Sequence, residues 1–125
     1  MSAGLILFAH GARDPRWAEP FAAVADRIRA ADPLRLVELA FLEAMEPDLR
    51  GAARRLVAAG AARIDVVPLF LGTGGHLRKD LPPLVEAVRA EHPGLDIRLH
   101  PAIGEHATVI EAMASAILAM SRFGE

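Results

Sequence analysis

The sequence predicts an α/β fold: a four-stranded parallel sheet in the strand order 2-1-3-4, with helices on both faces. Short apolar runs alternate four times with segments whose apolar residues recur at the helical spacing i, i+3, i+4, i+7. This alternation implies parallel strands joined by right-handed crossovers. We expect the first and third strands to be apolar throughout, because central strands are covered by helices on both faces. The second and fourth carry charges, as edge strands do.

The strands and helices are bounded by turn-forming residues. The predicted strands are Gly4–Ala9, Leu34–Phe41, Arg63–Phe70 and Asp96–His100. The apolar sets of the four following helices are Phe21/Val24/Ala25/Ile28, Leu49/Ala52/Ala53/Leu56, Leu81/Leu84/Val85/Val88 and Ile110/Met113/Ala114/Ile117. Pro47 is expected in the first turn of the second helix and Gly60 just past its end. Asp80 is expected to cap the third helix, and the His-Pro-Gly run at 92–94 to end it.

The size of the predicted sheet has a consequence for assembly. The order 2-1-3-4 resembles a truncated flavodoxin-like arrangement. The 125 residues are expected to form a single domain, 1–125. Because four strands make a small sheet, one face or edge is expected to pair with a second copy, and we predict a homodimer.

Composition argues against several classes of function. The net charge is −2 and only 5% of residues are aromatic, which argues against a nucleic-acid partner. The chain has no cysteine, which excludes disulfides, thiolate nucleophiles and thiolate-bound metals. No run of about 18 apolar residues and no basic leader occurs, so we expect a cytoplasmic protein without a membrane segment.

Candidate functional residues follow three of the predicted strands. In an open parallel sheet, ligands bind beyond the carboxyl ends of the strands, where the strand order reverses. Neighbouring strands lie about 4.8 Å apart, so the loops after strands 2, 1 and 3 begin within about 10 Å of one another. They carry Glu43, His10 and His76. We therefore predict a cleft with two imidazoles and one carboxylate on its floor. The basic residues expected at its rim are Arg13, Arg16, Arg78 and Lys79.

Each of these residues has a plainer interpretation when taken alone. His10 could be a turn or packing residue, His76 a loop residue, and Glu43 an exposed acid or a helix cap. His92 is expected to be a helix-end residue, and nothing defines a role for the remaining pair. That pair, His100 and His106, lies at the same edge of the sheet. The joint placement at three adjacent strand ends favours the functional interpretation.

The glycine-rich run at 72–75 does not match a nucleotide-binding loop. A phosphate-binding loop needs Gly-Lys-Ser/Thr, and Leu77 stands where a dinucleotide fingerprint has its third glycine. These glycines are instead expected to let the backbone approach a flat ligand closely.

Three motifs together resemble those of the CbiX/SirB-type class II chelatases in their short single-domain form. They are His10-Gly11-Ala12-Arg13-Asp14-Pro15, Phe41-Leu42-Glu43, and Pro68-Leu69-Phe70-Leu71-Gly72 followed by Gly74-Gly75-His76 and Asp80-Leu81-Pro82. The resemblance covers nearly the whole chain. Alanine stands at position 12, where the family often has serine, and the second half and the tails of larger members are lacking.

The resemblance implies ATP-independent insertion of a divalent metal into sirohydrochlorin, with no permanently bound cofactor. The metal would be Co²⁺, Ni²⁺ or Fe²⁺ and would be a substrate. His10 and His76 correspond to the family's active-site histidines, expected to hold the metal or take protons, and Glu43 to their acidic partner, expected to assist deprotonation. The residues expected to bind the carboxylate-bearing tetrapyrrole are Arg13, Arg16, Gly74, Gly75, Arg78 and Lys79.

Three other functions stay open from the sequence. A non-catalytic metal or tetrapyrrole carrier would use the same cleft and the same residues. A phosphate-ester hydrolase is a second alternative, and a small flavodoxin-like interaction domain is the third.

Overall fold

The computed structural model describes residues 2–72 and 74–123, with the side chains of His76 and Phe123 outside that description. Four parallel strands form one sheet in the order β2-β1-β3-β4, which confirms the predicted topology. The strands are β1 Ser2–Ala9, β2 Leu36–Phe41, β3 Ala61–Pro68 and β4 Asp96–Leu99. The helices are α1 Glu19–Ala31, α2 Leu49–Ala58, α3 Gly75–Glu91 and α4 Ala107–Phe123, with 3₁₀ turns at Pro15–Ala18 and Ile103–Glu105.

The strand register brings three carboxyl ends to one level. Ala9, the last residue of β1, lies beside Phe41, the last residue of β2. Phe8 lies beside Pro68, the last residue of β3. The loops that follow these strands therefore start side by side.

Helices cover both faces of the sheet, as predicted. On one face α2 and α3 pack against alternate residues of the central strands, including the fully buried Ile6, Phe8 and Ile64. On the opposite face α1 packs over β1 and β2 through a smaller cluster. Burying one such isoleucine or phenylalanine side chain contributes about 1.5–3 kcal/mol. Because more such residues are buried on the first face than on the second, the first face supplies most of the core.

Two capping predictions were wrong. Pro47 does not lie in a helical turn, because Asp48 caps α2 by accepting a hydrogen bond from the Gly51 amide at 2.8 Å. Asp80 does not cap α3, because that helix already begins at Gly75 and runs on through a proline pair in its third turn. Gly60 follows the end of α2 with a φ of 102°, as predicted.

The composition of β3 also differs from the prediction of a strand that is apolar throughout. Arg63 lies in the strand, and Asp65 is buried within it. Strand ends elsewhere differ from the predicted bounds by one or two residues, because an apolar run does not mark where backbone pairing stops.

The last helix stands apart from the sheet. α4 packs against the 3₁₀ turn before it, and none of its described side chains is buried. Ile117 is 62% exposed and Met120 is 73% exposed. The predicted helical period is confirmed, but its apolar set does not join the core. Within residues 2–72 and 74–123, no helix is long and apolar enough to cross a membrane.

Candidate functional site

His10 and Glu43 meet at the carboxyl edge of the sheet. His10 directly follows β1, and Glu43 lies two residues beyond β2. The Glu43 amide donates a hydrogen bond to the His10 carbonyl oxygen at 3.0 Å. The backbone pairing of β1 and β2 therefore continues into the loops that follow them. The distance between His10 Nε2 and Glu43 Oε1 is 2.7 Å. The strand order thus brings these two side chains together, as predicted.

Gly11 permits the close approach of the two loops. Its φ is 96°, a conformation that favours glycine, and a Cβ there would lie 1.8 Å from the Glu43 carbonyl oxygen. No residue larger than glycine fits without moving one loop. Gly11 therefore fixes the separation of the two backbones that carry the pair.

The bond between the two side chains defines the state of the imidazole. An ionised carboxylate can only accept hydrogen bonds. The Nε2–H of His10 therefore donates to Glu43, and the Nδ1 atom carries the lone pair that can bind a metal ion or accept a proton. A carboxylate behind a histidine in this way fixes the tautomer and the orientation of the ring. About half of the His10 side chain is exposed, so a ligand can reach it.

A hollow beside Glu43 concentrates negative charge. It has a volume of about 410 Å³ and is lined in part by the residues Glu43, Glu46 and Asp48. Acidic residues around one opening raise the local concentration of cations. A divalent ion would be attracted to the same side of the cleft as the His10–Glu43 pair.

The third predicted member of the site is only partly described. His76 is the second residue of α3, and its side chain lies outside the described residues. Its meeting with His10 and Glu43 therefore stays a prediction. Among the side chains that the structure describes, no group of three or more His, Cys, Asp or Glu is arranged to hold a metal ion.

The predicted rim residues fall into two groups. Arg13, Arg78 and Lys79 are exposed. Arg16 is exposed as well, but its guanidinium binds Asp14 through Nε at 3.2 Å and through a terminal nitrogen at 2.8 Å. The side-chain and backbone hydrogen bonds from Arg16 hold the pKa of Asp14 below its ordinary value. Arg16 thus presents a charge that is already paired.

The two glycines predicted to bind substrate precede His76. Gly74 caps α3, and Gly75 is its first residue. A Cβ on either residue would have no described neighbour within 4 Å. The backbone here is open, and the binding of substrate by these glycines stays a prediction.

A second histidine–carboxylate pair was missed by the sequence analysis. His100 Nε2 lies 2.8 Å from Asp65 Oδ1, and Arg63 donates to the same oxygen at 3.3 Å. Burial alone raises the pKa of Asp65, but the hydrogen bonds from His100 and Arg63 and their charges outweigh it and lower the pKa. The available signal was an aspartate in the middle of an apolar strand.

Aromatic side chains border the end of β2. Trp17 packs against Phe21 at a ring distance of 4.8 Å and against Phe41 at 6.5 Å. Phe41 precedes Glu43 by two residues, so the indole is anchored next to the loop that carries the carboxylate.

Comparison with known proteins shows the family and fold of this chain. The CbiX family model matches residues 4–119. The CbiX protein of cobalamin biosynthesis from Marinobacter aquaeolei VT8 superposes with a TM-score of 0.84 at 35% identity, over 96% of this chain and 98% of that chain. The sirohydrochlorin chelatase SirB from Bacillus subtilis subspecies spizizenii, solved in complex with cobalt, gives a TM-score of 0.81 at 27% identity, over 95% of this chain and 51% of that chain.

A curated relative shows the same match at lower coverage of its own length. The sirohydrochlorin cobaltochelatase of Methanococcus aeolicus is 32% identical over 87 residues, which cover 70% of this chain and 61% of the relative. The chain thus spans about three fifths of that relative. The family match over residues 4–119, the shared fold and the motifs around His10, Glu43 and His76 lead to one conclusion: this chain belongs to the CbiX family.

Proposed function

We propose that the protein inserts a divalent metal ion, Co²⁺ in the first place and alternatively Ni²⁺ or Fe²⁺, into sirohydrochlorin without ATP. The observation that carries the proposal is the accessible His10–Glu43 pair, 2.7 Å apart at the carboxyl edge of the sheet. Family membership, the cobaltochelatase relative and the cobalt complex of SirB support it. We further propose a single domain over residues 1–125 that acts in the cytoplasm as a homodimer.

The reaction needs proton acceptors and no redox partner. Two pyrrole N–H groups lose their protons, the metal forms bonds to the ring nitrogens, and no electron is transferred. His10 Nδ1 takes one proton, and the imidazolium that forms is stabilised by Glu43 at its other nitrogen. The free carboxylate oxygen of Glu43 is a second acceptor position.

A weak metal site suits a metal that must leave the protein. A structural site typically has four protein ligands and holds its ion permanently. In the described part of the cleft, His10 supplies one donor through Nδ1 while Glu43 holds the other ring nitrogen, and we propose His76 as a further donor. Such a set holds the ion until the four ring nitrogens of the substrate replace it. Imidazole binds Co²⁺, Ni²⁺ and Fe²⁺, so the donors alone do not select one of them.

The rim would bind the acidic substituents of the tetrapyrrole. Arg13 is an exposed cation in the loop after β1, and Arg78 and Lys79 are exposed cations near the start of α3; arginine binds carboxylates in a bidentate manner. Arg16 is expected to contribute less because Asp14 already occupies its guanidinium. The open backbone at Gly74 and Gly75 would face the flat ring.

An absorbance assay of sirohydrochlorin with each metal tests the proposal. We expect the spectrum of the metallated product to develop over many turnovers without ATP, fastest with one of the three ions. A spectral change that stops at one equivalent of protein would instead identify a carrier and contradict catalysis. Phosphate release from generic esters without any metal insertion would favour the hydrolase alternative.

A further inference from the structure

We propose that Ala44 is a positioning residue, whose left-handed backbone holds the Glu43 carboxylate against His10. The inference rests on the proposed function only for its consequence in the reaction, because the geometry of the pair can be measured without substrate. It is carried by a backbone conformation that alanine rarely adopts and by two hydrogen bonds that hold the backbone of Glu43.

The backbone of Ala44 is strained. Its φ is 67°, in the left-handed region, where the Cβ atom of an L-residue crowds the following carbonyl oxygen. Within residues 2–72 and 74–123, no other residue except glycine has a positive φ. Ala44 is exposed, so packing of its side chain does not impose this conformation. The strain must therefore come from the path of the backbone.

That path is a tight turn directly after the carboxylate-bearing residue. The Met45 amide donates a hydrogen bond to the Glu43 carbonyl oxygen at 2.8 Å. A hydrogen bond between residues two apart, around a central residue with positive φ, forms a γ-turn of the rare and strained kind. Strained backbone of this kind occurs mostly at sites where a side chain has to be held in one position.

The turn holds the second of the two backbone polar groups of Glu43. The Glu43 amide donates to the His10 carbonyl oxygen at 3.0 Å, and the Glu43 carbonyl oxygen accepts from Met45. The side chain leaves the backbone between these two bonds, so both of them determine its direction. Without the turn, the peptide group between Glu43 and Ala44 could rotate. The distance of 2.7 Å between Glu43 Oε1 and His10 Nε2 would then no longer be fixed.

Hydrogen bonds on both sides of the turn keep it in place. Before the turn, the Leu42 amide donates to the Ala9 carbonyl oxygen at 2.9 Å. After it, the Pro47 carbonyl oxygen accepts from the Phe41 amide at 2.9 Å. The chain must therefore leave and return to the end of β2 within a short loop, and it reverses at Ala44. The closed loop offsets the unfavourable φ.

In the proposed reaction, the position of Glu43 affects the proton-transfer step. His10 Nδ1 takes a proton, and the Glu43 carboxylate stabilises the imidazolium at Nε2. A displaced carboxylate would leave the imidazolium without this partner. We therefore expect a lower kcat, with little change in the KM for the tetrapyrrole.

NMR of the histidine ring nitrogens tests the geometry without metal or substrate. Glu43→Ala should shift the His10 ring signals, because Nε2–H loses its acceptor. Ala44→Val should shift them in the same direction, because a β-branched residue rarely adopts a positive φ. Ala44→Gly should leave them in place, since glycine adopts this φ freely. Ala59→Val is the matched control and should also leave them in place, because Ala59 is exposed and has a φ of −83°.

A second variant breaks the turn by another route. Met45→Pro removes the amide that donates to the Glu43 carbonyl oxygen and should shift the His10 signals as Ala44→Val does. It replaces Ala44→Val if circular dichroism shows that Ala44→Val does not fold. Unshifted His10 signals in a folded variant of either kind would overturn the proposal, and so would a shift in Ala44→Gly as large as that in Glu43→Ala.

The kinetics of cobalt insertion test whether Ala44 acts through Glu43. Ala44→Val should lower kcat by about 10- to 100-fold, and Ala44→Gly should keep it. In a Glu43→Ala background, Ala44→Val should lower kcat by less than about twofold further, because the carboxylate through which it acts is gone. A full additional loss would assign Ala44 a purely structural role and overturn the proposal. If the unsubstituted protein inserts no metal but the NMR results hold, the proposed function fails and the positioning of Glu43 stands.

Discussion

The two histidine–carboxylate pairs of this sheet share one geometry and differ in their surroundings. His10 and Glu43 lie 2.7 Å apart, and His100 and Asp65 lie 2.8 Å apart. The Glu43 side chain is 63% exposed, whereas that of Asp65 is 11% exposed. The first pair is carried by loops beyond the strands. In the second, Asp65 belongs to β3 and His100 directly follows β4.

The difference shows that burial and backbone context decide what such a pair does. Asp65 has lost most of its water and is compensated by His100 and Arg63, so its charge stabilises the fold and is not free for a ligand. Glu43 keeps its water and one free oxygen, so it is accessible to a ligand. The loop-borne pair is the one suited to chemistry.

The largest expected effect is on catalytic activity, which substitutions in the two pairs should change to different extents. His10→Ala should lower kcat/KM for cobalt insertion by about 10²-fold or more, the usual contribution of a positioned acid–base group. His100→Ala should lower it by less than about threefold. Steady-state absorbance assays of both variants measure this, with circular dichroism as the check that each is folded. An equal loss of kcat/KM in the two variants would contradict a difference in function between the two pairs.

The next effect tests how the loop-borne pair is held. Gly11→Ala should lower the rate of metal insertion by about 10- to 100-fold. The added Cβ would collide with the Glu43 carbonyl oxygen and displace the His10–Glu43 pair, and catalytic groups displaced by about 1 Å reduce the rate by that order. Gly60→Ala is a matched control, since Gly60 has a φ of 102° and open space around it. Both variants carry the backbone strain, but only Gly11→Ala should lose activity. A similar activity loss in Gly60→Ala would assign the effect to strain.

A smaller effect appears in stability. Asp65→Asn should lower the free energy of unfolding by about 1–3 kcal/mol, because it weakens a hydrogen-bonded network at a buried position. Glu43→Gln should change it by less than about 0.5 kcal/mol, as surface substitutions usually do. Urea denaturation followed by circular dichroism measures both. A larger loss of unfolding free energy in Glu43→Gln than in Asp65→Asn would contradict a structural role for the Asp65 pair.

The smallest effect is a pH dependence. The pKa of Asp65 is lowered in the folded state, so its contribution to stability is present above the unfolded-state value of about 3.9 and is lost as the pH falls through the folded value. Between pH 5 and pH 3, Asp65→Asn should therefore lose less stability than the unsubstituted chain. Urea denaturation at each pH measures this. An equal loss of unfolding free energy in the variant and the unsubstituted chain would show that protonation of Asp65 does not affect stability.

Much of the fold could be predicted from the sequence because its signals are local. The alternation of apolar runs and helical periods predicted a parallel sheet, and the charges in the second and fourth strands predicted the strand order. That order in turn predicted that His10 and Glu43 would meet. Gly60 marked a helix end because its φ of 102° favours glycine.

The remaining features depend on contacts that no local pattern specifies. Asp65 was overlooked because an apolar strand can hold a charge only when residues from elsewhere, here His100, compensate it. The apolar period of α4 predicted a helix but could not show that the helix lacks a partner in its own chain. Pro47 was placed in a helix because the side-chain cap at Asp48 was not considered.

The aromatic group at the end of β2 gives this protein a built-in optical reporter. Trp17 is the only indole in the chain, and tyrosine is absent. Its packing on Phe41 places it close to the loop of Glu43. Emission from that one side chain should therefore be quenched when cobalt or a coloured macrocycle occupies the cleft, and the two ligands can be titrated separately without any label.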